Sequence, residues 1–152
     1  MILNTDDFKS FLVKAKISTY AGYGDFSPSS RPESKDLHYR DKDYLYIDTY
    51  LGGIEFAGEE AVWMNNHPVW SMNYYGRMLV DQIPEGFSDF LKEALRNVPY
   101  DAPFRGPEKF VKDSFVYNCS YNGKIDFFVG KEVIYMDDKP VYELVFHGGS
   151  IK

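Results

Sequence analysis

The feature that most restricts the fold of this chain is a repeat. Residues 58–76, GEEAVWMNNHPVWSMNYYG, lie over residues 130–148, GKEVIYMDDKPVYELVFHG, at a constant offset of 72. Gly58, Glu60, Met64, Pro68, Val69 and Gly76 meet identical residues in Gly130, Glu132, Met136, Pro140, Val141 and Gly148. Trp63, Trp70 and Tyr74 meet Tyr135, Tyr142 and Phe146. Upstream, with one residue added near Asp126, DYLYIDTYLGGI lies over SFVYNCSYNGKI at an offset of 71, so that Tyr46, Tyr50 and Gly52 meet Tyr117, Tyr121 and Gly123. A chain patterned in this way is expected to use one arrangement twice, and its 152 residues suffice for two small halves around one core.

Each repeat follows a helical pattern. Phe8, Phe11, Leu12 and Ala15 stand at i, i+3, i+4 and i+7, and so do Phe87, Phe90, Leu91 and Ala94. Thr5 precedes Asp6 and Asp7 as an N-cap, Gly86 or Ser88 opens the second helix, and Pro99 closes it. Asn65-Asn66 joins strands near 59–64 and 68–76, Asp137-Asp138 joins strands near 131–136 and 139–147, and Asn122-Gly123 carries a type I′ turn signature. The expectation is an α+β fold: one antiparallel sheet with two helices on one face, built as a pseudo-two-fold internal duplication of a helix plus about four strands. Residues 1–152 are expected to form one domain, with halves at about 1–77 and 84–150. The connector after the first helix is the longer one and contains GYGDFSPSSRPES, a loop composition open to two readings, an ordered lid or a surface insertion.

Composition narrows the function classes. A net charge of −6, with 17 scattered basic residues, argues against direct contact with nucleic acid. No segment has the length of a membrane span, the N-terminal residues lack a signal-peptide pattern, and the one cysteine, Cys119, suits a reducing compartment, so a cytoplasmic location is expected. His38, His67 and His147 have no metal-ligand spacing, and no cofactor or metal is expected. Neither a nucleophile elbow nor a phosphate loop is present, which leans the reading away from an enzyme.

The aromatic content, 13 Tyr and 12 Phe, has to be packed or used. On the strand YLYIDTYLG, Tyr44, Tyr46, Asp48 and Tyr50 share one face, opposite Leu45, Ile47, Thr49 and Leu51. On the strand at 68–76, Trp70, Met72 and Tyr74 are expected under the helices together with Tyr142, Leu144 and Phe146, while Val69, Ser71, Asn73 and Tyr75 face the other way. Positions where the repeats differ in chemistry are the candidates for function: Asp48 against Cys119, Glu55 against Phe127, Glu59 against Lys131, Asn73 against Val145, and Tyr75 against His147. The candidate ligand-binding residues are therefore Tyr46, Asp48, Tyr50, Glu55, Glu59, Asn73, Tyr75 and His147, with no catalytic residue assigned. They would hold a small molecule, cationic or aromatic, in an acidic aromatic cleft. An Arg such as Arg31 would offset Asp48 where no cationic ligand does. Two alternatives stand beside this: a small enzyme using Asp48 or Glu59 with His147 as acid and base, and an interaction module or homodimer with an exposed aromatic face.

The strings SSRPESKDLHY, DYLYIDTYLGGIEFAGEEAVW, PVWSMNYYGR and VFHGGSIK resemble an uncharacterised bacterial family, domain-of-unknown-function family 5680. Its members stand alone or lie C-terminal to helix-turn-helix regulators, and the resemblance implies a sensor role. The chain has no DNA-binding helical segment of the fused members. A looser likeness to the effector-binding domains of multidrug regulators, tandem duplications with aromatic and acidic clefts, points to ligand binding in the same way.

Overall fold

A computed structural model describes residues 1–152. After a 3₁₀ turn at Ile2–Asn4, helix α1 spans Asp6–Ser18, and Thr5 caps it, its hydroxyl oxygen accepting from the Phe8 N–H at 3.3 Å. Four strands follow: β1 (Lys35–Asp41), β2 (Tyr44–Gly52), β3 (Glu55–Met64) and β4 (His67–Met78). Helix α2 (Phe87–Arg96), entered from Gly86, leads to β5 (Lys109–Lys112), β6 (Phe115–Lys124), β7 (Phe127–Met136) and β8 (Lys139–Ser150).

The eight strands form one antiparallel sheet in the order β1-β2-β3-β4-β8-β7-β6-β5. Each half is thus a helix followed by a four-strand meander, and the last strands of the two meanders pair at the centre. At the middle of that pairing Tyr74 stands opposite Phe146, the residue it meets in the sequence repeat. Local details repeat as well. The β3–β4 turn places Asn65 and Asn66 at φ 51° and 67°, and the β7–β8 turn places Asp137 and Asp138 at 48° and 65°, the geometry of type I′ hairpins. Gly52 and Gly123 take φ of 91° and 100° just before β2 and β6 turn back. The register slips between Val62 and Trp63 and, at the matching place, between Ile134 and Tyr135.

Both helices lie on one face of the sheet. Phe8, Phe11, Leu12 and Ala15 of α1 and Phe87, Phe90, Leu91, Ala94 and Leu95 of α2 join Trp70, Met72, Tyr74, Tyr142, Leu144 and Phe146 in one buried cluster. That is the trio expected beneath the helices, with its repeat. The tyrosine row of β2 belongs to the same inner face: Tyr46 is 1% exposed and Asp48 6%. The opposite face, carrying Asn73, Tyr75, Val145 and His147, has no layer over it.

The long connector does not lie over the inner face. Ser27 bridges to Asp36, the Ser30 backbone N–H and the Ser34 hydroxyl donate to the Asp36 carboxylate, and Thr49 donates to it from the neighbouring strand. Burial works the other way, yet these hydrogen bonds hold the Asp36 carboxyl down at about 2. Arg31 donates to the Thr49 hydroxyl at 2.9 Å and so faces away from Asp48, which corrects the pairing expected for it. Of the connector, its first residues, Thr19 to Ala21, reach the inner face beside Asp48, and Lys35 joins them from the start of β1.

Candidate functional site

Two glutamates at identical repeat positions anchor a buried polar network. Glu60 on β3 receives the Lys16 ammonium at 2.9 Å on both carboxylate oxygens and a hydrogen bond from the Tyr46 hydroxyl. Glu132 on β7, fully buried, receives the Tyr117 hydroxyl at 2.6 Å, the Tyr142 hydroxyl at 2.7 Å and a two-point contact from Arg105 at 2.6 and 3.1 Å. The glutamate and tyrosine repeat between halves; the cations do not. Lys16 comes from α1, where the matching position of α2 is Leu95, so the second glutamate is neutralised from the α2–β5 segment by Arg105. Burial lowers the Lys16 pKa and Glu60 opposes that effect. For Arg105, burial works against the charge but Glu132 outweighs it and raises the pKa. Each pair is closed by its hydrogen bonds, as buried ions require.

Asp48 is the exception in this network. The register opposes it to Glu60 on β3 and to Leu37 on β1, placing it on the inner face. Tyr74 donates to its Oδ1 at 2.6 Å, and its Oδ2 has no protein donor, though no buried side-chain polar atom of the chain lacks a partner. The two statements agree because Oδ2 keeps some accessible surface, and Asp48 borders open space. Burial first, and then the charge of Glu60, push the Asp48 carboxyl up to about 7, against the pull of the Tyr74 hydrogen bond, Arg105 and Lys16. The repeat counterparts of Asp48 and Tyr74 are Cys119 and Phe146, an apolar pair. Cys119 is buried, which pushes its thiol up to about 12 and leaves it unreactive.

The open space is a cavity of about 190 Å³ between the helices and the first half of the sheet. Asp48, Tyr74 and Arg105 line its interior, Tyr50, Phe56, Tyr20 and Leu91 its walls, and Lys35 with Gly52 and Gly53 its mouth. A smaller pocket of about 30 Å³ adjoins it, sharing Tyr20, Asp48 and Arg105 and reaching Lys16, Tyr46 and Glu60. The guanidinium of Arg105 lies 5.5 Å from the Tyr74 ring centre and the Lys35 ammonium 5.6 Å from that of Tyr50.

Of the residues singled out from the sequence, the fold brings together Tyr46, Asp48 and Tyr50. Glu59, Asn73 and His147 stand in one cross-strand row on the opposite face, with Tyr75 beside them, and Glu55 is exposed at the start of β3. The set of Asp48 with His147 is therefore divided by the sheet, whereas Glu59 and His147 share the outer face with Asn73 between them. Comparing the repeats for differences overlooked Lys16, Glu60, Arg105 and Glu132. Glu60 and Glu132 were marked all the same, as identical charged residues at matched positions within aromatic strands. Arg105 carries no periodic signal, since it lies in the irregular segment between α2 and β5.

No helix of the chain is long and apolar enough to cross a membrane. No curated protein and no solved structure matches the chain. The chain belongs to the family described as a domain of unknown function (DUF5680), whose profile matches residues 48–151, a span that opens at Asp48 and contains Tyr74, Arg105 and Glu132.

Proposed function

We propose that this DUF5680 protein binds a small molecule in the cleft between its helices and the first half of its sheet, with Asp48 orienting the ligand. The observation that carries the reading is Asp48, which lines an aromatic cavity with only its Oδ1 hydrogen-bonded, in a network where every other buried carboxylate is paired. Such a carboxylate is costly to retain unless something meets it. The fold does not require it, because the other half places Cys119 and Phe146 at the same positions. At about 190 Å³ the cavity is smaller than most drug-sized pockets, so the ligand is of metabolite size.

A binding role, as in a sensor, accounts for these features without a chemical step, since His147, the acid expected to work with Asp48, lies on the other face of the sheet. The test is a thermal-shift screen of metabolites against the native protein and the Asp48→Asn variant. Ligands that stabilise the native protein are expected to lose about 1.5 to 3 kcal/mol of binding in the variant, the worth of a charge-assisted hydrogen bond. Ligands that bind both proteins equally would remove Asp48 from the site.

A further inference from the structure

The cavity has an image in the second half, and there it is filled. Under the repeat, Tyr50, Phe56 and Tyr74 correspond to Tyr121, Phe128 and Phe146. Phe104 stacks on Phe128 with 3.9 Å between ring centres and 14° between planes, meets Tyr121 edge-on at 5.1 Å and lies 6.4 Å from Phe146. The rings behind these walls match between the halves. Phe56 is stacked with Tyr142 at 6.3 Å and Phe128 with Trp70 at 5.9 Å, while Phe56 to Tyr74 is 6.1 Å and Phe128 to Phe146 is 6.2 Å. The walls repeat and the filling differs. Phe56 has no third ring against it, and the space that Phe104 takes in the second half is the cavity in the first. A cavity of about 150 Å³ is enough to hold benzene.

Charge defines the two ends of the space. Three charged side chains line it, Asp48, Lys35 and Arg105, and only Arg105 has an ion-pair partner. Asp48 and Tyr50 are two positions apart on β2, about 7 Å along the strand, and Lys35 is the cross-strand neighbour of Tyr50. The carboxylate without an ion pair thus lies at the inner end and the ammonium without one at the mouth, so a ligand that bridges them carries opposite charges at its two ends.

Resting on the binding role proposed above, we infer that the cavity receives one planar aromatic ring, stacked on Phe56 as Phe104 stacks on Phe128, with an ammonium or other hydrogen-bond donor at Asp48 and a carboxylate at Lys35. The protein's own Phe104 is the template for the ring, and the two charges without an ion pair select an amphoteric ligand.

The experiment titrates the full chain, by calorimetry and by the Leu91 methyl signals in NMR, with 4-(aminomethyl)benzoate. It is compared with benzylamine, which lacks the carboxylate, 4-methylbenzoate, which lacks the ammonium, and 6-aminohexanoate, which keeps both charges without a ring. The aromatic amphoteric probe is expected to bind at least tenfold more tightly than each of the others. Leu91→Phe, which fills the cavity from the helix side, is expected to abolish its binding. If 6-aminohexanoate or a compound from the metabolite screen moves the Leu91 signals and 4-(aminomethyl)benzoate does not, the ring site is overturned while the binding role stands. If no compound moves them, both are overturned. Undiminished binding to Leu91→Phe would place the aromatic probe elsewhere and overturn the ring site as well.

Discussion

Asp48 carries most of the consequences at the scale of single residues. It faces Lys16 from α1, Lys35 from β1, Tyr46 and Tyr50 from its own strand, Glu60 from β3, Tyr74 from β4, and Tyr20 and Arg105 from the connecting segments. Its carboxyl holds a proton up to about 7 in the folded protein, against an ordinary value of 3.8. The folded state therefore binds more protons than the unfolded chain between those values, and this group's contribution to stability falls as pH rises from about 4 to about 7 and is level above. Asp48→Asn keeps the shape and an acceptor for Tyr74 but has no charge to bury. Urea unfolding is expected to show the variant gaining on the native protein between pH 5 and pH 8 by on the order of 1 to 3 kcal/mol. A difference that does not change with pH would mean that Asp48 is ionised throughout and paired by a group other than Tyr74.

Among the elements, the α2–β5 segment matters most, because it supplies both the cation for Glu132 and the ring that fills the second half. Phe104 is 2% exposed and stacked on a buried ring. Phe104→Ala is expected to cost about 3 to 5 kcal/mol and to create the image of the natural cavity. Toluene should then raise the melting temperature of the variant and leave that of the native protein much less affected. A melting temperature that toluene does not raise would show that the loop collapses into the gap. The helices and the turns at Asn65-Asn66 and Asp137-Asp138 were legible in the sequence because each has a local cause: apolar spacing in Phe8 to Ala15, the Thr5 cap, and Asn and Asp pairs at positions needing positive φ. The type I′ turn expected at Asn122-Gly123, by contrast, falls inside β6, which turns at Ile125-Asp126. The site was legible only in part. Alternation along a strand says which residues share a face, but not which face of the next strand they join. That depends on turn length, and the turn after Gly52 sets Asp48 against Glu60 and sends Glu59 to the other side. Irregular segments give no such pattern, so Arg105 and Phe104 stayed invisible until the chain was folded.

Across the whole molecule, the two halves use the same sheet and the same glutamate–tyrosine pairs, and they differ in what occupies the space under the helices. One side is closed by Phe104, and the other is open above Phe56 with Asp48 and Arg105 at its inner end. On the proposed function the open side, and not the bare outer face, takes the ligand, and a side-chain-resolved NMR titration separates the two directly. With the strongest compound from the metabolite screen, shifts are expected at Leu91, Tyr50, Phe56 and Tyr74, with Val129 and Val145 unchanged. Shifts at Val129, Val145 and Tyr75 on the outer face, with Leu91 and Phe56 unmoved, would contradict the proposed function.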